Sequence, residues 1–247
     1  MDADDTLDPA LAHRPPPVGG DPAPPGDARW RLRGAATGDP PQGENDPDAP
    51  EHAPRDAELW LLARRTQGAA LRLDFELRTA LARQIFRRDF VYVSRQLHGL
   101  EASRRVQGLD RTCLDDALAA LQRRADDIGA LLAGMDADLQ AAIDARGPAG
   151  ARIAFARPAR FQATVVSPVA HRYLGLLTQA DATLARLEMA WLLGLVAPAD
   201  RTALAGDCRR ALKGFKDLAA DRRQAVGALV RAINAWRREG MAMEPLD

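Results

Sequence analysis

The sequence is short of most things that chemistry uses. Two cysteines, Cys113 and Cys208, in 247 residues exclude a disulfide-braced fold and make a reducing cytoplasm the expected compartment. There are four histidines, with no HExxH and no CxxC spacing, so neither a metal site nor a cofactor is expected. No G-x-x-x-x-G-K-[ST] loop and no G-x-S-x-G elbow occurs, which leaves no catalytic residues to name and no evident small-molecule substrate. The acidic pairs Asp115-Asp116 and Asp126-Asp127 lie close to Arg123 and Arg124, a pattern of solvated ion pairs rather than of acid-base work. No apolar run approaches the roughly 18 residues of a membrane span; the best candidate, Leu184 to Val196, contains Arg186 and Glu188. Asp2, Asp4 and Asp5 are the reverse of a secretory leader's basic start. Aromatics make up only 5% of the chain, so the core must come from Leu, Ala and Val, a composition that favours helices. A non-enzymatic, mainly α protein is expected.

What the chain has in plenty is arginine, unevenly opposed by acid. The formal net charge is zero. Residues 1–58 hold thirteen acidic and five basic residues, a net of −8; residues 59–150 come to +2 and residues 151–240, with fifteen basic against seven acidic, to +8. An acidic segment joined to a basic body suggests a polyanionic partner.

Residues 1–54 hold twelve of the seventeen prolines and almost no aliphatic periodicity, and are expected to be a disordered tail. A single mainly helical domain follows over 55–240, with a flexible end at 241–247. Glu58 to Ala63 reads as a strand or the start of a helix. Leu77, Leu81, Ile85 and Phe86 recur at helical spacing within Phe75 to His98, with Arg78, Arg83, Arg87 and Arg88 between them, and the strand-like Phe90 to Val93 is absorbed into that helix. Gly99 is the expected break. A second helix from about Asp110 to Ala145 carries Leu114, Leu118, Leu121, Ile128, Leu132, Leu139 and Ile143, and Gly147-Pro148 should end it through a left-handed cap. The two should form a long antiparallel helical hairpin.

Beyond it, Arg160 to Val166 alternates with period two and is the only clear strand: Phe161, Ala163 and Val165 face one way, Arg160, Gln162 and Thr164 the other. Ser167-Pro168 pairs an N-cap with the residue best suited to the first helical turn, and that helix should continue to Leu195. A last helix should run from near Pro198 to about Glu239. On a 3.6-residue turn, Lys213, Lys216, Arg223, Arg231 and Arg238 fall within about 40° of Arg209, while Leu212, Phe215, Val226, Leu229, Ile233 and Trp236 gather on the other side. Both lysines of the chain lie on this basic stripe.

Two features thus suit double-stranded DNA. A two-stranded ribbon fits the major groove, where Arg160, Gln162 and Thr164 have the chemistry to read base edges. The stripe suits phosphates through Arg209, Arg210, Lys213 and Lys216, and the helix start near Arg201 and Thr202 is a natural phosphate seat. Strand, capped helix, turn and helix is the order of a ribbon-helix-helix element, in which two subunits each lend one strand to the ribbon; a homodimer is therefore expected.

The run Thr164-Val165-Val166-Ser167-Pro168-Val169-Ala170-His171-Arg172-Tyr173-Leu174, with Ala180-Asp181 and Leu184 downstream and Arg209-Arg210-Ala211-Leu212-Lys213-Gly214-Phe215 after it, resembles the AcaB-like proteins of conjugative plasmids and integrating conjugative elements. The layout extends over about 59–238, the distinctive residues over 161–215; the Pro-rich acidic tail lies outside the pattern. The resemblance implies a DNA-binding transcriptional regulator of transfer genes with a ribbon-helix-helix-like C-terminal part. The competing expectation is a non-catalytic adaptor of the conjugation machinery that uses its helices to hold protein partners.

Overall fold

The computed structural model describes residues 31–32, 51–52, 56–65 and 68–242. Its elements are β1 (Arg31–Leu32), β2 (Glu51–His52), α1 (Asp56–Arg65), β3 (Leu71–Leu77), α2 (Ala80–Ala102), a short 3-10 turn at Ser103–Arg105, α3 (Arg111–Arg146), β4 (Ala159–Val165), α4 (Pro168–Leu192) and α5 (Pro198–Ala242). The protein is mainly helical, as its composition implies. Glu58 to Ala63 belongs to a helix. Within the stretch expected to be a disordered tail, β1 and β2 pair with the sheet; the remainder of that stretch, Trp30 included, and the C-terminal residues after 242 lie outside the described residues.

The sheet order is β1-β3-β4-β2. β3 departs from the helix expected from Phe75: the helical spacing of Leu77, Leu81 and Ile85 does not reach back over Phe75, and Leu71, Leu73, Phe75 and Leu77 alternate as a strand does. β3 and β4 pair antiparallel over their whole length, from Leu71 opposite Val165 to Leu77 opposite Ala159. On one face Phe161 meets Phe86 and Phe75 at 5.0 and 5.9 Å between ring centres, and Phe86 stacks on Phe90 at 5.1 Å. This aromatic knot joins the sheet to α2 and concentrates much of the chain's small aromatic complement where burial of each ring is worth about 2 kcal/mol. On the other face lies α1, with Leu59 and Ala63 buried and Trp60 beneath the Arg72 guanidinium at 4.8 Å.

Polar side chains set the helix starts. Thr79 caps α2, Asp110 caps α3 and Ser167 caps α4 with Pro168 in the first turn. Asp181, buried in the middle of α4, accepts from the Arg78 and Thr79 backbone N–H groups and from Thr79 Oγ1 at 3.1, 2.8 and 2.8 Å, and pairs with Arg78 Nε at 3.3 Å. A carboxylate from one helix thereby holds the N-terminus of another. Glycine acts at the helix ends in two ways. Gly147 has φ −77°, not the left-handed cap expected; its need is close approach, since a Cβ there would sit 2.6 Å from the Ile143 carbonyl oxygen. Gly194, with φ 70°, stops α4 three residues before Leu195 would have been incorporated as helix.

α4 is the central helix and α5 closes the bundle. Gln179 Nε2 donates to Gly129 O at 3.0 Å, Arg172 pairs with Asp126 and Arg186 with Asp136, so α3 and α4 run parallel. Asp181 at the start of α2 and Tyr173 near Asp89 make α2 antiparallel to α4. Tyr173 stacks on Phe215 of α5 at 5.1 Å. α2 and α3 are thus opposed in direction, as expected of a hairpin, but each packs on α4 and α5 rather than lying along the other. Gly99 does not break α2, which passes through it to Ala102. No helix among the described residues is long and apolar enough to cross a membrane.

Candidate nucleic-acid interface

The strand expected to read bases is built into the sheet. β4 is flanked by β3 along its whole length and, at Phe161 and Gln162, by the parallel β2, so it is a strand of an intrachain sheet rather than one strand of a two-stranded ribbon shared between subunits. Gln162 is 8% exposed and Thr164 only 1%. Gln162 Nε2 donates to Asp74 Oδ1 at 2.7 Å across the strand pair. Alternation separated the two faces correctly; what it did not show is that α1 covers the second. Buried polar groups must find partners inside the fold, and here they do, which withdraws Gln162 and Thr164 from base contact. Arg160 is exposed, opposite Glu76 at the end of the strand pair.

The stripe on α5 keeps its periodicity but loses much of its charge. Arg201 donates to Glu188 Oε1 through Nε and a terminal nitrogen at 3.0 and 2.8 Å and covers the Trp191 ring at 4.4 Å. Thr202 Oγ1 donates to the Pro198 carbonyl at 3.0 Å. Arg210 pairs with Asp207, Lys213 with Asp217 at 2.7 Å, and Lys216 with Asp89 at 2.7 Å. Arg201, Thr202, Arg210, Lys213 and Lys216, expected at phosphates, each have a partner within the protein, and the pairs of Arg210 and Lys213 are exposed. Arg209 is exposed and, among the described residues, its side chain makes no hydrogen bond or ion pair. On the apolar side, Leu212, Phe215 and Val226 are buried as expected, but Leu229 is exposed and Trp236 is 73% exposed. α5 outruns the bundle there: near its end the neighbours are Gly108 beside Ile233 and the Gln107 carbonyl, which accepts from Arg237 at 2.7 Å.

A different cationic surface arises where α5 meets α2. Asp89, its side chain 3% exposed, receives Arg88 Nε and a terminal nitrogen at 3.0 and 2.7 Å, together with Lys216 Nζ at 2.7 Å. Burial alone would raise the Asp89 carboxyl, but the hydrogen bonds from Arg88 and Lys216 outweigh it and hold the group below its usual range. The hydrogen bond and charge of Asp89 raise Arg88 in turn. Two cations meet one carboxylate, so the junction stays positive. Lys216 Nζ also sits 5.4 Å from the exposed Tyr92 ring. Beneath them the Tyr173 hydroxyl is buried without a partner among the described residues, and burial pushes its acidity far from the physiological range.

Toward the start of α2, Arg83 donates from Nε to the Thr79 carbonyl at 3.3 Å and from a terminal nitrogen to the Arg157 carbonyl at 2.8 Å, while the Arg87 guanidinium lies 5.5 Å over Phe161. With Ala80, Gln84 and Arg88 they line an open recess of about 500 Å³. Further along the seam, Arg223 of α5 lies across Gly99 of α2. The sequence carried a signal for this surface: Arg83, Arg87 and Arg88 stand at i, i+4 and i+5 with no acidic residue from Ala80 to Arg88. A second recess, of about 410 Å³, lies between the end of α3, the following loop and α4, and its cations Arg78 and Arg186 are held by Asp181 and Asp136.

Among solved structures, the chain is similar to the crystal structure of AcaB from uropathogenic E. coli, with a TM-score of 0.62 and 15% sequence identity over 71% of this chain and 89% of that one. The two share a fold. The likeness to AcaB extends to the arrangement of elements described above and, at this identity, to nothing finer. No protein-family model and no curated protein matches the sequence.

Proposed function

We propose that the protein is a nucleic-acid-binding transcriptional regulator that holds duplex phosphates on the cationic face shared by α2 and α5. The observation that carries this reading is the junction at Asp89: Arg88 and Lys216 share one carboxylate, and Arg83 on the same helix donates to two neutral carbonyls, so these groups keep an excess of positive charge. A polyanion gains from such a face by releasing its counterions. Support for a conjugative or integrative element as the setting comes from the resemblance to AcaB-like proteins and the fold shared with AcaB. In this reading two copies act on DNA in the cytoplasm, and their contact is not a β4 ribbon. Footprinting of the purified protein over the DNA flanking its own coding region tests the proposal. Protection of a discrete duplex segment, lost when Arg83 and Arg87 are both replaced by alanine, is the expected result; uniform weak binding to all duplexes, or none, would overturn it.

A second reading is favoured by one observation. Leu229 and Trp236 project from the distal part of α5 as large apolar side chains in water, an arrangement suited to holding a protein partner. An adaptor of the conjugation machinery would use that surface and leave a heparin column near physiological salt, whereas the regulator would be strongly retained.

A further inference from the structure

The face of α5 that packs in the bundle continues past the bundle's end. Ala211, Phe215 and Leu218 stand four and then three residues apart on it, the first two buried and the third half-buried against the core. The same alternation of four and three runs on through Arg222, Ala225, Leu229, Ala232 and Trp236. All five of these are exposed, Leu229 by 43% and Trp236 by 73%. Ile233 and Arg237, on the adjoining side, lie beside Gly108 and the Gln107 carbonyl, a contact that leaves this row uncovered. A row with a mean spacing of about 3.5 residues is the seam along which one helix packs on another.

The side chains of the seam select its occupant. Two copies laid antiparallel, about a two-fold axis between Val230 and Arg231, set Leu229 opposite Ala232 and Trp236 opposite Ala225. A large side chain then meets a small one in each of these layers, the arrangement that fills an interface without voids. The same register brings Arg222 opposite position 239, which the sequence fills with glutamate. Laid parallel, the seam would crowd Trp236 onto Trp236, leave Ala225 and Ala232 facing their own copies across a gap, and bring two Arg222 side chains together. Size and charge are self-complementary in the antiparallel sense alone, and such a contact closes at two copies.

We propose that the protein dimerises through the distal part of α5, as an antiparallel helix pair in which Trp236 of each copy sits on Ala225 of the other. The proposal deepens the regulator reading and rests on it only for the use of the two copies on DNA; the pairing itself is measured without DNA. From Arg222 to Trp236 the seam is about 21 Å long, less than a standard interface needs, so the dimer should form in the micromolar range rather than be permanent.

Sedimentation equilibrium of the full-length protein over that concentration range is the test. Wild type is expected to pass from monomer to dimer. Trp236→Ala removes the large member of its layer, and Ala225→Trp sets two tryptophans against each other; each should raise the dissociation constant about tenfold or more. Ala225→Trp combined with Trp236→Ala restores large against small and should recover the wild-type constant to within about threefold. Arg231→Ala, exposed on another side of the helix, should associate as wild type does. Because all three positions are exposed, the variants should keep the wild-type thermal midpoint in dilute solution. A wild type that stays monomeric would overturn the proposal and return the seam to a different protein. A dimer that either single variant leaves intact, or that the combined variant does not recover, would overturn it as well. Loss in the single variants and recovery in the combined one, with no footprint on DNA, would leave the dimer standing and remove the regulator reading.

Discussion

The first half of α5 and the first turns of α2 are both rich in cations, yet they differ in what holds those cations. Along α5, Arg201, Arg210 and Lys213 each face their own carboxylate, in Glu188, Asp207 and Asp217. Along α2, Arg83 is held by two carbonyl oxygens, and Arg88 shares Asp89 with Lys216. A carboxylate partner cancels a charge; a carbonyl or a ring fixes the side chain and leaves the charge. Counting arginines therefore says little about where a polyanion would bind until the partner of each is known. α5 has the more regular stripe, whereas on α2 Arg83 has carbonyl partners and one carboxylate is shared by two cations.

The comparison is most strongly disturbed at Asp89, where the two regions meet. Asp89→Ala leaves Arg88 and Lys216 facing each other over a vacated site, and urea denaturation should show a loss of about 3 kcal/mol, toward the lower end for a broken buried pair because both cations remain partly solvated. The same carboxylate gives a pH signature. Its folded-state acidity is stronger than the ordinary value of 3.8, so its contribution is complete above that pH and fades as the pH falls through the lower folded value. Glu101 works in the opposite sense. Burial raises it above 4.5, so its ionised form opposes folding at higher pH, and stability should rise as acidification protonates it. Asp89→Asn should flatten the acid limb and Glu101→Gln should remove the rise, both read from denaturation midpoints across the acid range.

Smaller effects separate the two cationic regions more finely. Arg83→Ala with Arg87→Ala should lower duplex affinity about tenfold at low salt, equivalent to about 1.4 kcal/mol, with little change in thermal stability. Gln162→Ala should cost about 1 kcal/mol of stability by removing one hydrogen bond to Asp74, and should leave the sequence preference of any bound duplex unchanged. Smallest of all, Lys213→Ala should shift stability by less than about 0.5 kcal/mol, because its pair with Asp217 is exposed on both sides.

Much of the backbone plan was legible. Asp110 and Ser167-Pro168 marked the starts of α3 and α4, and the alternation from Arg160 located β4. β3 was overrun by the helical spacing of Leu77, Leu81 and Ile85, since its own alternation becomes decisive only when β4 is laid beside it, and Gln162 and Asp74 are 88 positions apart. The candidate site was less legible for the same reason. Lys213 and Asp217, four residues apart, could have been paired from the sequence alone. Lys216 and Asp89, separated by 127 positions, could not. Period-two patterning puts Gln162 and Thr164 on the face opposite Phe161 but says nothing of what covers that face. Helical periodicity puts Trp236 on the apolar side of α5 but does not report where the neighbouring helices end.

The salt dependence of duplex binding tests the central claim most directly. If the field that matters belongs to α2, the slope of log K against log salt should become shallower by about one to two units in the Arg83→Ala, Arg87→Ala protein and stay at the wild-type value in the Arg210→Ala, Lys213→Ala protein. An unchanged slope in the first protein with a shallower one in the second would contradict the account and return the phosphates to α5.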